Sequence, residues 1–365
     1  MSSSYCPRIY HGLALSGITN NSVSYAPCCW IKDWTIESSI DFYHGDITNL
    51  RQINQQDTLP ATQCQACISQ EAAGAHSMRQ GYLLTHSNPT VEPSLQYLDI
   101  NVDYTCNLAC VTCGPELSTT WRNELGIKHI PVRPNIDQFL ETQLELLDLS
   151  ELKEVRLWGG EPLLTNTHKQ LLEYIVTHTD ASKIKLMYNT NGTRLIDDYT
   201  KKLIEKFKFC RISFSIDAID EQFEYLRYPA KWKEVENNLM WWKSNLPHNA
   251  MLALTVTASI LNVLELDSVF AWHQTNFSKS IFGDDIEVYV HQAWGTYGVE
   301  YMPEKMVTYF QNMQNYCQPW LQKLDFLGSA SHEVDNVSQQ LRILDQRRNL
   351  NFKKVFPQVS VFLNY

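Results

Sequence analysis

Residues 97–113 read Tyr97-Leu-Asp-Ile-Asn-Val-Asp-Tyr-Thr-Cys106-Asn-Leu-Ala-Cys110-Val-Thr-Cys113. The segment Tyr97–Val102 has the alternation of a strand, and three cysteines follow it at once with CxxxCxxC spacing. Three thiolates on one loop can hold three irons of a cubane cluster and leave the fourth iron open to a small chelating ligand. Catalytic loops of parallel α/β folds sit at the carboxyl ends of strands, which is where this loop falls.

Downstream, strand and helix patterns alternate. Helices are expected at Ile136–Leu147, His168–Thr177, Asp197–Lys206, Trp232–Ser244, Val263–Gln274 and Glu304–Leu321. Strands are expected at Glu154–Trp158, Lys185–Asn189, Arg211–Ile216, Leu252–Ala258 and Ile286–Gln292. Six such units predict an α/β fold with a parallel sheet, a partial (βα)6 TIM-type barrel or an open sheet, short of the eight units of a closed barrel. The expected organisation is a Cys-rich unit over 1–95, the barrel over 96–322 and a C-terminal extension over 323–365. In the extension Val334–Arg348 reads as a helix, and Phe356–Asn364 as a short strand or ordered tail.

The chain has 365 residues, 44% of them hydrophobic, so it can bury a large core. Its net charge of −10 argues against unassisted nucleic-acid binding, which draws on Lys and Arg. Met1–Pro7 lacks a basic stretch followed by an apolar run, and no stretch of about 18 apolar residues occurs, so a cytoplasmic protein without a membrane span is expected. Eight of the ten cysteines lie within the first 113 residues, in close groups. In a reducing compartment that grouping points to metal or cluster ligation rather than to disulfides. No P-loop, nucleophile elbow or HExxH motif is present.

Later strand ends carry further motifs: Trp158-Gly159-Gly160-Glu161-Pro162, Tyr188-Asn189-Thr190-Asn191-Gly192 and Ser213-Phe214-Ser215-Ile216-Asp217. Gly159 and Gly160 permit a sharp turn and close approach to a ligand, and Glu161 offers a carboxylate to an ammonium group. Asn191-Gly192 alone is a loop turn, and Ser215 and Asp217 alone would read as caps. In order after Cys106, Cys110 and Cys113, the motifs resemble those of the radical S-adenosylmethionine (SAM) superfamily over residues 95–295.

The resemblance implies a [4Fe–4S] cluster on Cys106, Cys110 and Cys113 that binds S-adenosyl-L-methionine. It implies contacts to SAM from Gly159, Gly160, Glu161, Asn189, Asn191, Ser215 and Asp217. Arg227 would meet the SAM carboxylate or form a surface salt bridge. Thr112 stands where the family usually has an aromatic residue, so the family's adenine contact is not carried over. The implied chemistry is reductive cleavage of SAM to a 5′-deoxyadenosyl radical, which takes a hydrogen atom from substrate, in an oxygen-sensitive enzyme.

Cys64-Gln-Ala-Cys67 begins the pattern C-x2-C-x3-E-x2-G-x2-S-x-R, through Glu71, Gly74, Ser77 and Arg79. With Cys6, Cys28 and Cys29 upstream it resembles the twitch or SPASM-type auxiliary-cluster module, which in most relatives follows the barrel. The resemblance implies a second [4Fe–4S] cluster on Cys6, Cys28, Cys64 and Cys67, with Cys29 as the alternate to Cys28 and a zinc site as the rival. Such enzymes often act on ribosomally made peptides (crosslinking, epimerisation or backbone cleavage), others on amino acids, sugars or alcohols. A peptide is favoured, met by a separate peptide-recognition protein or by direct docking because residues 1–95 are committed to cysteine ligation. A flavodoxin- or ferredoxin-type electron donor is implied, and a non-catalytic iron–sulfur carrier is the rival of another class. Cys210 reads as a core residue rather than a hydrogen donor, and Cys317 is open, a thiol that quenches a substrate radical being one candidate role. His291, in His291-Gln-Ala-Trp294, reads as structural or substrate-facing, and Trp241-Trp242 as a packed pair.

Overall fold

The computed structural model describes the chain except residues 1–3, 20–21, 32–33, 73, 75–76, 87–89, 102, 129–134, 278–285, 294, 314–327 and 329–333. Cys317, Trp294, Val102 and the end of the expected helix Glu304–Leu321 lie outside the described residues.

Strand β1 is Gly12–Ser16, β2 Val23–Ala26, β3 Thr35–Glu37, β4 Tyr97–Asn101 and β5 Glu154–Trp158. Then follow β6 Lys185–Thr190, β7 Phe209–Ser215, β8 Ala250–Ala258 and β9 Glu287–Gln292. They form one open sheet in the order β3-β2-β1-β4-β5-β6-β7-β8-β9. From β1 through β4 to β9 every pairing is parallel, and only β1–β2 and β2–β3 are antiparallel. The sheet does not close, as six expected βα units require, and the architecture is that of a partial barrel.

Alternation along each strand separates two faces. In β5 Val155 and Leu157 are fully buried against the helical layer, while Glu154, Arg156 and Trp158 are half-buried on the inner face. The helix Thr167–His178 supplies Leu171, Leu172 and Ile175, all fully buried. Each such aliphatic side chain contributes roughly 1.5–3 kcal/mol. The inner face thus lies open beneath the strand ends that carry the motifs.

Residues 1–95 depart from the expected Cys-rich unit set apart from the barrel. Three of the nine strands come from them, and Leu13, Leu15, Val23, Tyr25 and Phe42 join the main core. The strands there are only three to five residues long, too short to register as periodic in the sequence. Cysteine ligation is therefore not what holds this region alone. The expected helix Ile136–Leu147 is a short α-turn, Ile136–Phe139, continued by a π-turn, Leu140–Leu144. A helix at Asp220–Leu226 went unforeseen. The tail is helical over Phe352–Val355 and Pro357–Phe362 rather than a strand, with Pro357 in the first turn, where its missing N–H costs nothing. No helix among the described residues is long and apolar enough to cross a membrane.

Candidate functional site

The three-cysteine loop leaves β4 and is fixed by its own main chain. Ala109 N donates to Tyr228 O (2.7 Å) and Val111 N to Leu226 O (2.8 Å), which ties the loop to the segment after β7. Ser118 caps the helix Thr119–Glu124, and its hydroxyl donates to Leu108 O at 2.5 Å. Thr119 Oγ1 accepts from Cys106 N (3.1 Å), and the Trp121 indole donates to Cys110 O (2.8 Å). This frame holds the thiols of Cys106, Cys110 and Cys113 near enough to influence one another.

Burial, then the neighbouring Cys110 thiol, pushes both Cys106 and Cys113 up to about 12. Cys110 is also raised by burial, against the opposing pull of Arg227. Thiols so placed ionise only when a strong positive centre replaces the proton. Donors stand ready for the resulting charge: Asn191 Nδ2 is 3.8 Å from Cys106 Sγ, and Arg227 Nη1 is 3.9 Å from Cys110 Sγ. A donor set of three cysteine thiols on one loop fits an iron–sulfur cluster, whose irons are held by thiolates.

Gly159 and Gly160 have φ of +78° and +43°. A Cβ on Gly159 would lie 2.1 Å from the Asn101 side chain, and one on Gly160 2.5 Å from Thr105 O. Their close approach is thus to the chain leading into the cysteine loop. Glu161 N donates to Thr105 O at 2.7 Å, so this turn and the loop are locked together. The Glu161 carboxylate is buried and accepts from Asn191 N (2.6 Å), Thr190 Oγ1 (2.8 Å) and Leu163 N (3.1 Å). Burial raises its pKa and the three donors oppose the rise. A carboxylate has about four lone-pair positions, so one acceptor position is left.

Asn191 also bonds Asn107 Oδ1 (3.0 Å) through Nδ2. Asn189 is exposed on the inner face of β6. Ser215 ends β7, half-buried, and Asp217 lies beyond the strand. Asp217 Oδ1 accepts from Thr257 N (2.7 Å), and Oδ2 pairs with Arg227 Nη2 (2.8 Å). Arg227 is accordingly a buried cation between Asp217 and Cys110, not a surface salt bridge.

The amino-terminal cysteines form a second group. Cys6, Cys28, Cys64 and Cys67 line one cavity together with Met78 and Arg79, and Cys28 Sγ is 3.7 Å from Met78 Sδ. Cys29 is not in that lining; its charged neighbours are Asp99 and Arg8, toward the sheet. Burial and the Cys28 thiol push Cys6 up to about 12, and burial pushes Cys67 up to about 11. Contact with Cys29 first, then Arg8, brings Cys28 down to about 7 against burial. The spaced motif has a physical meaning. Glu71 pairs with Arg79 and accepts from Ser77 Oγ (2.5 Å), while Arg79 Nη1 donates to Tyr5 O (2.9 Å). That network ties the Cys64–Cys67 turn to the segment bearing Cys6.

Cys210 is fully buried in β7. His291 is exposed on β9. Trp242 is buried edge-on to Phe214, and Trp241 is half-buried. Sequence reasoning missed Arg348, whose guanidinium stacks over Trp121 (4.5 Å) and Tyr228 (4.7 Å) and pairs with Glu124 (3.0 Å). Arg348 lies over two hundred residues from Glu124, and nothing in its local sequence marks it. Asn107, Thr119 and Trp121 were also missed, although their nearness to the cysteines in sequence was a usable signal.

The Radical SAM superfamily profile matches residues 100–266. The GTP 3′,8-cyclase of Syntrophomonas wolfei is 30% identical over 142 residues, 37% of this chain and 38% of that protein. That of Desulforamulus reducens is 27% identical over 145 residues, covering 39% and 41%. The chain thus matches under half of the length of these relatives. Among solved structures, anSMEcpe with bound AdoMet superposes with TM-score 0.41 at 17% identity, over 60% of this chain and 58% of that one. Streptococcus suis SuiB bound to S-adenosylmethionine gives 0.34 at 11%, over 95% and 74%. At those scores the two superpositions carry no argument about function. The profile match and the motif-bearing strand ends agree, and residues 100–266 are a radical SAM superfamily domain.

Proposed function

We propose that this chain is an enzyme that cleaves SAM reductively on a [4Fe–4S] cluster held by Cys106, Cys110 and Cys113, and modifies a substrate by hydrogen-atom abstraction. The observation that carries this reading is the wiring of the Cys106 and Cys110 thiols to donors from outside their loop, Asn191 at the end of β6 and Arg227 after the helix Asp220–Leu226. When bound, cluster and SAM supply the radical chemistry. The chain's own residues position it. Glu161 keeps one acceptor position for the SAM ammonium, beside the Asn191 turn it anchors. Asn189 and Ser215, on the inner face near the ends of β6 and β7, would contact the ribose. Asp217 and Arg227 serve as positioning residues behind Cys110, so the reading assigns them no direct SAM contact.

A second [4Fe–4S] cluster on Cys6, Cys28, Cys64 and Cys67 completes the proposal. Four protein ligands would leave no open iron, which suits electron transfer. Cys28 is preferred over Cys29 because Cys28 lines the shared cavity. A ribosomally made peptide is the favoured substrate, supported by the resemblance of this cysteine module to peptide-modifying enzymes. The relatives named GTP 3′,8-cyclase favour the second reading, a small molecule.

The test uses anaerobically reconstituted full-length protein with SAM and dithionite. Release of 5′-deoxyadenosine is expected, and its absence would leave only an iron–sulfur carrier. Replacing Cys106, Cys110 and Cys113 by Ala together should abolish that release while iron and sulfide remain on the second site. If no iron remains, the second cluster fails.

A further inference from the structure

Strand register places Asp99, Arg156, Met187 and Arg211 in one row across β4, β5, β6 and β7, on the inner face. Their charges are unequally matched. Asp99 is buried and paired with Arg8 at 2.6 Å. Arg156 is paired with Glu154 at 3.2 Å and has Asp99 at 3.9 Å. Arg211 has no carboxylate within ion-pair distance among the described residues. Its guanidinium lies 4.6 Å from the centre of the Tyr289 ring, and its buried Nε has no hydrogen-bond partner among the described residues.

The groups around Arg211 do not neutralise it. Glu287, the carboxylate of β9 on this face, accepts the Tyr289 hydroxyl. His291, on the same face of β9, is an imidazole and brings no negative charge in either protonation state. Two more buried polar atoms of this face lack partners, Trp158 Nε1 and Asn101 Oδ1. A buried donor left unmade costs about 1–3 kcal/mol, more when charged. Such a set is stable when something polar enters the space it borders, and a guanidinium's planar fork matches the oxygens of a carboxylate or phosphate.

The position fits a substrate. Ser213 and Ser215 follow Arg211 on the same face toward the SAM-binding strand ends, about 7 and 13 Å along the strand. A group held at Arg211 therefore leaves the rest of a molecule pointing at those ends. On the other side Arg8, which pairs with Asp99, also lines the cavity of the amino-terminal cysteines.

We propose that Arg211, seconded by Arg156, is a specificity-determining residue that binds an anionic group of the substrate, a carboxylate or phosphate, on the inner face of the sheet. This rests on the radical SAM reading for its role in turnover. Binding itself can be measured without turnover. The probes are pyrophosphate and glutarate, titrated calorimetrically into the full-length reconstituted protein with ionic strength held by chloride. Because the chain carries a net charge of −10, diffuse anion binding is weak and a saturable signal is local.

At least one probe should bind saturably, and which one does separates phosphate from carboxylate. Arg211→Gln should weaken that binding about tenfold or more, Arg211→Lys less, in line with loss of a charge-assisted hydrogen bond. Lys202→Gln, which removes one charge from an exposed helix position, should leave it unchanged. Unfolding midpoints establish that each variant is folded, and Arg211→Lys stands in if Arg211→Gln is not. Absence of saturable binding in the wild type overturns the proposal, as does binding that Arg211→Gln leaves intact or Lys202→Gln weakens equally. Release of 5′-deoxyadenosine by the wild type tests the radical SAM reading separately. A protein that releases it but binds neither probe retains that reading and loses this one.

Discussion

At the residue scale, Arg227 and Asp217 show how one buried charge serves its neighbours. Removing Arg227 strands the Asp217 carboxylate, a loss of about 3–5 kcal/mol for a broken buried pair. Arg227→Met should therefore lower the unfolding midpoint sharply, and Arg227→Met with Asp217→Asn should recover part of the loss. In the folded double variant the cluster on Cys106, Cys110 and Cys113 should also be harder to reduce, because a cation beside a thiolate ligand is gone. A spectroelectrochemical titration reads the shift, and an unmoved potential would deny Arg227 that role. His168 gives a pH effect. Burial lowers it to about 4, and Tyr188 Oη contacts its ring at 2.8 Å. Its folded value lies below the ordinary 6.5, so its contribution is full above 6.5 and is lost as pH falls toward 4. The loss is about 3 kcal/mol. His168→Gln should flatten stability against pH across that window, as measured by denaturant unfolding from pH 7 to 4.

At the element scale, the Gly159–Gly160 turn and the cysteine loop behave as one piece. Gly160→Ala forces a Cβ toward Thr105 O at a positive φ, with an expected cost of about 1–3 kcal/mol. Iron bound at the radical SAM loop should fall with it, read as iron per chain in a protein lacking the amino-terminal cysteines. Full iron content in Gly160→Ala would show that the loop holds its shape without the turn. The amino-terminal site has its own brace in Glu71, Ser77 and Arg79. Arg79→Ala should lower iron and sulfide to those of one cluster while leaving 5′-deoxyadenosine release measurable. The strand ends themselves were readable in sequence: Glu154–Trp158 has the bounds expected, and the later strands shift by only a few residues. Buried parallel strands are short apolar runs closed by turn residues, so their pattern is local.

At the scale of the whole molecule, the amino-terminal strands make the sheet continuous. Cutting the chain before residue 96 would bare the edge of β4 and remove Leu13, Leu15 and Tyr25 from the core. A fragment of 96–365 should therefore be insoluble or unfolded by circular dichroism, whereas a folded fragment would restore the independent-unit reading. The helix Val334–Arg348 likewise returns from the far end of the chain to set Arg348 against the cysteine loop.

The sequence by itself determined the thiol-bearing loop, the order of its strand-end partners and the alternation behind them. Each depends on residues within one turn or strand of one another, where spacing translates directly into geometry. Only the tertiary structure decided that Cys28 rather than Cys29 faces Cys6, Cys64 and Cys67, that Asp217 and Arg227 back Cys110, and that Arg211 stands unmatched on the inner face. Those facts depend on which strands lie side by side and on what burial leaves unpaired, and chain-local patterns carry neither.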